Sequence, residues 1–285
     1  MTIQDKAMLT TLSTSAWCGR RYDKAVSQEV AQKHGTSVDV GRYNKMLLPK
    51  EALAPIAKVI SSARLHHVAN SLPWDNSGTR LLPTTNYFAY TTTQRTFREE
   101  LEKAADQFAL EYPGHIQAAH SRLNGLFNAS DYPDPYDIRD RFSMSVVVTP
   151  VPDGKDFRVD LADSEIDQMR ENITADVETR VKAANDDLWK RLHDGVLHIH
   201  DRLGAFKSGD TKRLHDTLVG NLVDLTGLLT RLNVTNDPDL ENMRKDIEAK
   251  LCGVSVEAMR TSESEREQTQ DTAAKILDAM AGYVN

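Results

Sequence analysis

Apolar residues recur at helical spacing through most of the chain. In the C-terminal half a series runs through Ile166, Met169, Ile173, Val177, Val181, Ala184, Leu188, Leu192, Val196, Ile199 and Leu203, with a mean spacing of 3.7 residues. That period predicts one long amphipathic helix over about 164–205. Asp163 or Ser164 can cap it by accepting the backbone N–H bonds that a first turn leaves open. The spacing lies nearer an 11-residue repeat than a heptad, so the stripe stays on one side of the helix with little left-handed supercoil. At ~1.5 Å rise per residue the helix is about 60 Å long. Gly195 lies within it, costs about 1 kcal/mol relative to Ala, and marks a place for a break. Ser208–Gly209–Asp210 reads as a short turn into a second stripe, Leu214, Leu218, Leu222, Leu225, Leu229 and Leu232, which returns antiparallel along the first. Asp237–Pro238 is a cap-plus-proline start for a third helix with Leu240, Met243, Ile247 and Leu251 inward. Ser262 with Glu265 fits a capping box before a last helix carrying Ala273, Ile276, Leu277 and Met280.

The N-terminal half is more mixed. A short helix is predicted over Tyr22–His34, ending at Gly35, and a second over Lys50–Asn70, where Leu53, Ile56, Ala57, Ile60, Ala63 and Leu65 follow a helical pattern. Pro55 falls in its first turns, where a proline disrupts least. Residues 72–94 read as loop with a strand at Asn86–Thr92, followed by a helix from about Gln94 with Phe97, Leu101, Ala104, Ala105, Phe108 and Leu110 on its buried face. Pro113–Gly114 is placed to break or kink that helix, which resumes over Ile116–Phe127. The clearest β signal is FSMSVVVT, a PVPDG turn and KDFRVDL, a hairpin near 142–161. The expected fold is therefore mainly α with a small β element (α+β). A mixed region carrying the hairpin spans 1–162, and a bundle built on the long helical hairpin spans 163–285.

Charge adds an asymmetry that the net value of −7 hides. Residues 1–64 carry ten Lys and Arg against five Asp and Glu, whereas 163–285 carry sixteen against twenty-four. Nucleic-acid contact would thus come from the first part. There, basic and aromatic residues intermingle: Arg20, Arg21, Arg42 and Lys45 near Trp17, Tyr22 and Tyr43, then Trp74 and Arg80 with Tyr87 and Tyr90. Single-strand binders combine stacking rings with cations along the backbone. The same rings and charges equally serve to pin loops to a core and to solvate a surface. In the long helix, Asp194, His198 and Asp201 fall at i, i+4 and i+7 and share a face, which suits a carboxylate–imidazole metal site or a set of solvated helix contacts. No phosphate loop, dinucleotide fingerprint, HExxH, CxxC or GxSxG occurs, and no cofactor is expected. The two cysteines, Cys18 and Cys252, read as separate thiols rather than a disulfide; Arg20 and Arg21 beside Cys18 could activate it. No run approaches the roughly 20 apolar residues of a membrane span, and the N-terminus lacks a secretory pattern, so a cytoplasmic protein without a membrane partner is expected.

Three segments, LPWDNSGTRLLPT (72–84), LFNASDYPD (126–134) and TPVPDGKDFRV (149–159), resemble in order and spacing a family carried by bacteriophages and integrative elements and catalogued as a domain of unknown function. The resemblance covers roughly residues 5–200. It implies a gene from a replication or recombination cluster, often beside a cobaltochelatase-like AAA+ ATPase, acting in the cytoplasm of a bacterial host. It brings no catalytic residues. The leading expectation is a non-enzymatic interaction or assembly protein that self-associates or docks on a phage or host protein, such as that ATPase. The alternatives are a single-strand DNA-binding or annealing protein using Arg20, Arg21, Arg42, Lys45, Trp74 and Arg80, and a metal-dependent enzyme using Asp194, His198 and Asp201.

Overall fold

A computed structural model of the chain describes residues 2–156, 163–206 and 214–284. In chain order the helices are α1 (Ile3–Lys6), α2 (Lys24–His34), α3 (Lys50–Ala69), α4 (Tyr87–Leu123), α5 (Asp163–Gly204), α6 (Thr217–Leu232), α7 (Pro238–Lys250), α8 (Val256–Thr261) and α9 (Glu263–Met280). The strands are β1 (Ala7–Ser15), β2 (Arg20–Tyr22), β3 (Asn44–Met46), β4 (Leu72–Pro73), β5 (Thr79–Pro83) and β6 (Ser143–Pro150). Four form a sheet in the order β4-β5-β1-β6, and β2 pairs with β3 separately. The architecture is mainly α with a small β element, as the periodicities predict. Two compact units result. One comprises Met1–Thr11, Val68–Tyr90 and Val148–Asn285; the other comprises Leu12–His67 and Thr91–Val147.

The first unit is organised on α5, which runs unbroken from Asp163 to Gly204. Its stripe is buried from Val177 through Ala184, Leu188, Leu192, Val196 and Ile199 to Leu203, under Leu222 and Leu229 of α6, Ile247 of α7 and Ile276 of α9. Each fully buried aliphatic side chain contributes roughly 1.5–3 kcal/mol relative to exposure. Only the start of the stripe stays open, with Met169 exposed. Gly195 does not break the helix; a Cβ there would lie 3.2 Å from Leu222 and Leu225, so the glycine gives α6 its room. Residues that meet across the pair run in opposite order. Gly195 faces Leu222 and Leu225, while Asn185, earlier on α5, reaches Asp237 beyond the end of α6. The return is therefore antiparallel, as expected, although the predicted turn at Ser208–Asp210 lies outside the described residues.

A polar latch holds the start of α7 to α5. The Asp237 carboxylate accepts from Asn185 Nδ2 at 3.0 Å, Trp189 Nε1 at 3.2 Å and the backbone N–H groups of Asp239 and Leu240. Burial pushes this carboxyl up, but those four donors outweigh it and hold it below the usual range. Two arginines perform a similar task at the end of α3. Arg191 of α5 donates to the carbonyls of Ala69 (2.7 Å), Val68 and Ser71, and Arg80 of β5 donates to Val68, Ser71 and the Ser71 hydroxyl. Cations at a helix C-terminus satisfy carbonyls that no further turn can reach.

The second unit packs Ile56, Ile60 and Ala63 of α3 against Leu101, Ala105, Phe108 and Tyr112 of α4, with Ile138, Phe142 and Met144 completing the core. Trp17 stands edge-on to Tyr112 at 5.7 Å, and Phe108 meets Phe142 at 5.4 Å.

Several sequence expectations are corrected. Residues Tyr87–Thr92 are the first turns of α4, not a strand. Their threonines favour strands locally, but Tyr90, Gln94, Leu101, Ala105 and Phe108 form one buried helical series, and burial overrides local preference. Pro113 and Gly114 do not interrupt α4, which continues to Leu123. β1 was hidden because AMLTTLSTS does not alternate cleanly; its register with β5 pairs Ala7 with Pro83 and Thr11 with Thr79. Of the predicted hairpin, the first arm is β6. Lys155 and Asp156, predicted to open the second arm, lie in a 3-10 turn, Gly154–Asp156, and the rest of that arm lies outside the described residues.

The glycines give a direct test of this packing. A Cβ on Gly154 would lie 2.7 Å from the Arg170 carbonyl oxygen of α5, whereas one on Gly114 would meet nothing within 4 Å. Gly154→Ala is expected to destabilise by about 1–3 kcal/mol, since backbone must move. Gly114→Ala is expected to stabilise by about 0.5–1 kcal/mol, the helix-interior difference between the two residues. Urea unfolding midpoints at unchanged slope check both.

Candidate functional site

The N-terminal basic segment folds around α2. Asp23 caps that helix, its carboxylate accepting from Val26 N at 3.1 Å, and Gly35 ends it in the left-handed region at φ 63°. Ser27 Oγ donates to the Asp23 carbonyl at 2.7 Å and accepts from Tyr43 N at 3.0 Å, which ties the helix start to the chain entering β3. β2 and β3 pair Arg21 with Lys45 and Tyr22 with Asn44.

Lys45 is not available to a phosphate. Its ammonium is buried, 2.7 Å from Asp131 and 3.1 Å from Asp23, and donates to the Leu126 carbonyl at 2.8 Å. Burial alone would depress its pKa; the hydrogen bonds to Asp131 and Asp23 raise it instead. The Val26 N–H, then the Lys45 ammonium, hold the Asp23 carboxyl below its ordinary range. This cluster fastens β3 to α2 and to the 126–134 segment.

Beside it lies a groove of about 370 Å³, walled by Val30, Ala31 and His34 of α2 and by Val40, Arg42 and Tyr43 of the chain that follows. Of its apolar lining residues, Val40 is 72% exposed, Val30 49% and Tyr43 40%, while Ala31 is buried. The Arg42 guanidinium lies 6.0 Å from the Tyr22 ring centroid. Arg20 and Arg21 are exposed on the adjoining strand, with Arg21 Nε 3.8 Å from Asp131. The groove escaped the sequence reading because Val30 and Ala31 look like an ordinary buried face of α2; in the fold, Ala31 is buried and Val30 is not.

Of the six residues singled out for nucleic acid, Arg20, Arg21 and Arg42 are exposed; Arg42 lies against Tyr22, whereas Arg20 and Arg21 are successive residues of β2 and face opposite ways. Trp74 and Arg80 belong to the other unit. Trp74 is buried, with the Arg180 guanidinium 5.5 Å from its ring and donating to its carbonyl, and Arg80 is spent on the end of α3. On α5, Asp194 and Asp201 are exposed and each meets the imidazole of the preceding residue, His193 at 3.5 Å and His200 at 3.0 Å. His198 lines a separate hollow of about 190 Å³ with Arg202, His215 and Asn221. Among the described residues no group of three or more His, Cys, Asp or Glu is placed to hold a metal ion. Cys18 is exposed and Cys252 half-buried, both free thiols; burial raises the Cys252 thiol.

The described parts of the three segments hold turns: one between β4 and β5, one at 128–131 and one at 154–156. Asp75 accepts from Ser77 N and Thr79 N to join β4 to β5, with Gly78 at φ 95°. Asn128 accepts from Ser130 N, while Asp131 receives Lys45. Gly154 presses on the α5 backbone. Compared with known protein families, curated proteins and solved structures, the chain matches none. Among the described residues no helix is long and apolar enough to cross a membrane.

Lys45→Met would leave two carboxylates facing an apolar side chain and is expected to destabilise by about 3–5 kcal/mol. The sign of the pH dependence follows from the two directions. The lowered Asp23 contributes fully above its ordinary 3.8, and the contribution is lost as pH falls toward its folded value. The raised Lys45 contributes fully below its ordinary 10.5, and the contribution is lost as pH rises through its folded value. The stability gap between wild type and variant should be flat between those limits and shrink outside them, measured by chemical unfolding across pH.

Proposed function

We propose that the protein is a non-enzymatic interaction component of a bacteriophage or integrative element, acting in the bacterial cytoplasm by docking on another protein. The observation that carries this is the exposed groove between α2 and residues 36–43, lined by Val30, Val40, Arg42 and Tyr43, with Tyr22 against Arg42. Tyrosine and arginine are enriched where protein surfaces meet. The covered stripe of α5 favours docking through this groove over self-association through the long helix. The phage origin and an AAA+ ATPase as partner rest on the three turn segments alone.

A second reading has its own support: the Arg42 guanidinium against the exposed Tyr22 ring, next in sequence to exposed Tyr43, suits a single DNA strand. It requires salt-sensitive binding, because phosphate contacts release counterions. One comparison separates the two. Wild type and Val40→Asp are each recovered, tagged, from cells in which the gene is native, and each is titrated with a dT oligonucleotide at low salt. Docking predicts a co-purifying protein retained by wild type and lost with Val40→Asp, at unchanged circular dichroism, and no oligonucleotide binding. Oligonucleotide binding that falls with salt, with no groove-dependent protein, contradicts it.

A further inference from the structure

We infer that Asn124 is a site of self-modification, where the chain converts its own amide to an aspartyl or isoaspartyl residue through a succinimide. The Gly125 backbone nitrogen attacks Asn124 Cγ. That N–Cγ bond forms, the Cγ–Nδ2 bond breaks, and Nδ2 leaves as ammonia with the amide proton. Water then adds to either carbonyl of the ring. Opening at Cγ gives aspartate, and opening at the backbone carbonyl gives isoaspartate. No electron is transferred, and water is the co-reactant. The reaction is independent of the docking reading above.

Asn124–Gly125 is the one Asn–Gly pair in the chain. A glycine there matters because a Cβ would crowd its nitrogen as it closes on Cγ. Both residues are exposed, so water reaches the ring. A Cβ on Gly125 would meet nothing within 4 Å, so the peptide group has room to rotate. Asn124 sits just past the end of α4 in the left-handed region, at φ 47°. It opens a single 3-10 turn, Asn124–Leu126, in which Phe127 N donates to the Asn124 carbonyl at 2.9 Å. Ring closure needs another backbone angle at Asn124, and local opening of so short a turn supplies it while α4 stays folded. Other asparagines are held back. Asn236 also has a positive φ, 56°, but the nitrogen that would attack it, Asp237 N, donates to Asn233 Oδ1 at 2.9 Å. At Asn76 the corresponding Ser77 N donates to Asp75 Oδ1 at 2.8 Å. Each of these bonds must break before the nitrogen can turn.

The location gives the reaction a consequence. The Leu126 carbonyl accepts from the buried Lys45 ammonium at 2.8 Å. An isoaspartyl link adds a methylene to the backbone two residues before that carbonyl, and either product adds a carboxylate at the turn. The modified chain therefore holds its Lys45 cluster less firmly.

The test keeps the full chain in warm, mildly alkaline buffer and follows every asparagine by peptide mass spectrometry, which reads replacement of NH by O. Isoaspartate is identified by its methylation with a repair methyltransferase, since direct hydrolysis of the side chain gives aspartate alone. Conversion is expected at Asn124 ahead of Asn76 and Asn236, with isoaspartate among the products. Gly125→Ala, whose fold is checked by circular dichroism, should slow it about tenfold or more, because the added Cβ obstructs ring closure. The converted chain, separated by ion exchange, should unfold at a lower urea concentration than its parent. An Asn124 that stays intact, converts no faster than the other asparagines, or is indifferent to Gly125→Ala would overturn the inference. An unchanged urea midpoint would overturn its effect on the Lys45 cluster.

Discussion

Burial of the α5 stripe from Val177 to Leu203 is the constraint on which the larger unit depends. A helix of 42 residues bearing so many charges gains little from its own propensity; most helical stability in proteins comes from packing one face. Here α6, α7 and α9 supply that cover, and the rest of the unit keeps them in place. Gly195 lets α6 approach closely, the Asp237 carboxylate fixes where α7 starts, and Arg191 anchors the middle of α5 to the end of α3. From Val177 to Leu203 the cover comes from the same chain, so that stretch of the long helix serves as a scaffold.

That result shifts attention to the basic segment. Its elements are short: α2 is eleven residues, and β2 and β3 are three each. Such pieces cannot hold shape through a large core. The Lys45 cluster takes that role, joining β3, the α2 cap and the 126–134 turn through one buried ammonium. With the backbone so fixed, Val30, Val40 and Tyr43 stay exposed without collapsing onto one another.

The helical half was legible because its signals are long and mutually consistent. The 3.7-residue stripe, the Asp237–Pro238 start and the Ser262 cap each appear where the sequence places them, and Ser262 Oγ accepts from Glu265 N. Shorter signals failed where burial outweighed local preference, as at Tyr87–Thr92, or where a strand such as β1 lacks alternation. The candidate site was half legible. Sequence grouped Arg20, Arg21 and Arg42 with Lys45, Trp74 and Arg80 as nucleic-acid candidates, and the first three are exposed. It could not distinguish them from Lys45 and Arg80, whose partners are Asp131, over eighty positions away, and the carbonyls ending α3. Nor could it show that an apolar residue on α2 is left uncovered, since that depends on what fails to pack there.

The chain covers its own apolar stripe from Val177 to Leu203, which leaves the groove beside α2 as the proposed docking surface. Light scattering of the purified protein over a wide concentration range tests it most directly. The account predicts the mass of a single chain throughout. A stable dimer or larger assembly that persists when the groove carries Val40→Asp would contradict it, because the association would then come from surface outside the groove.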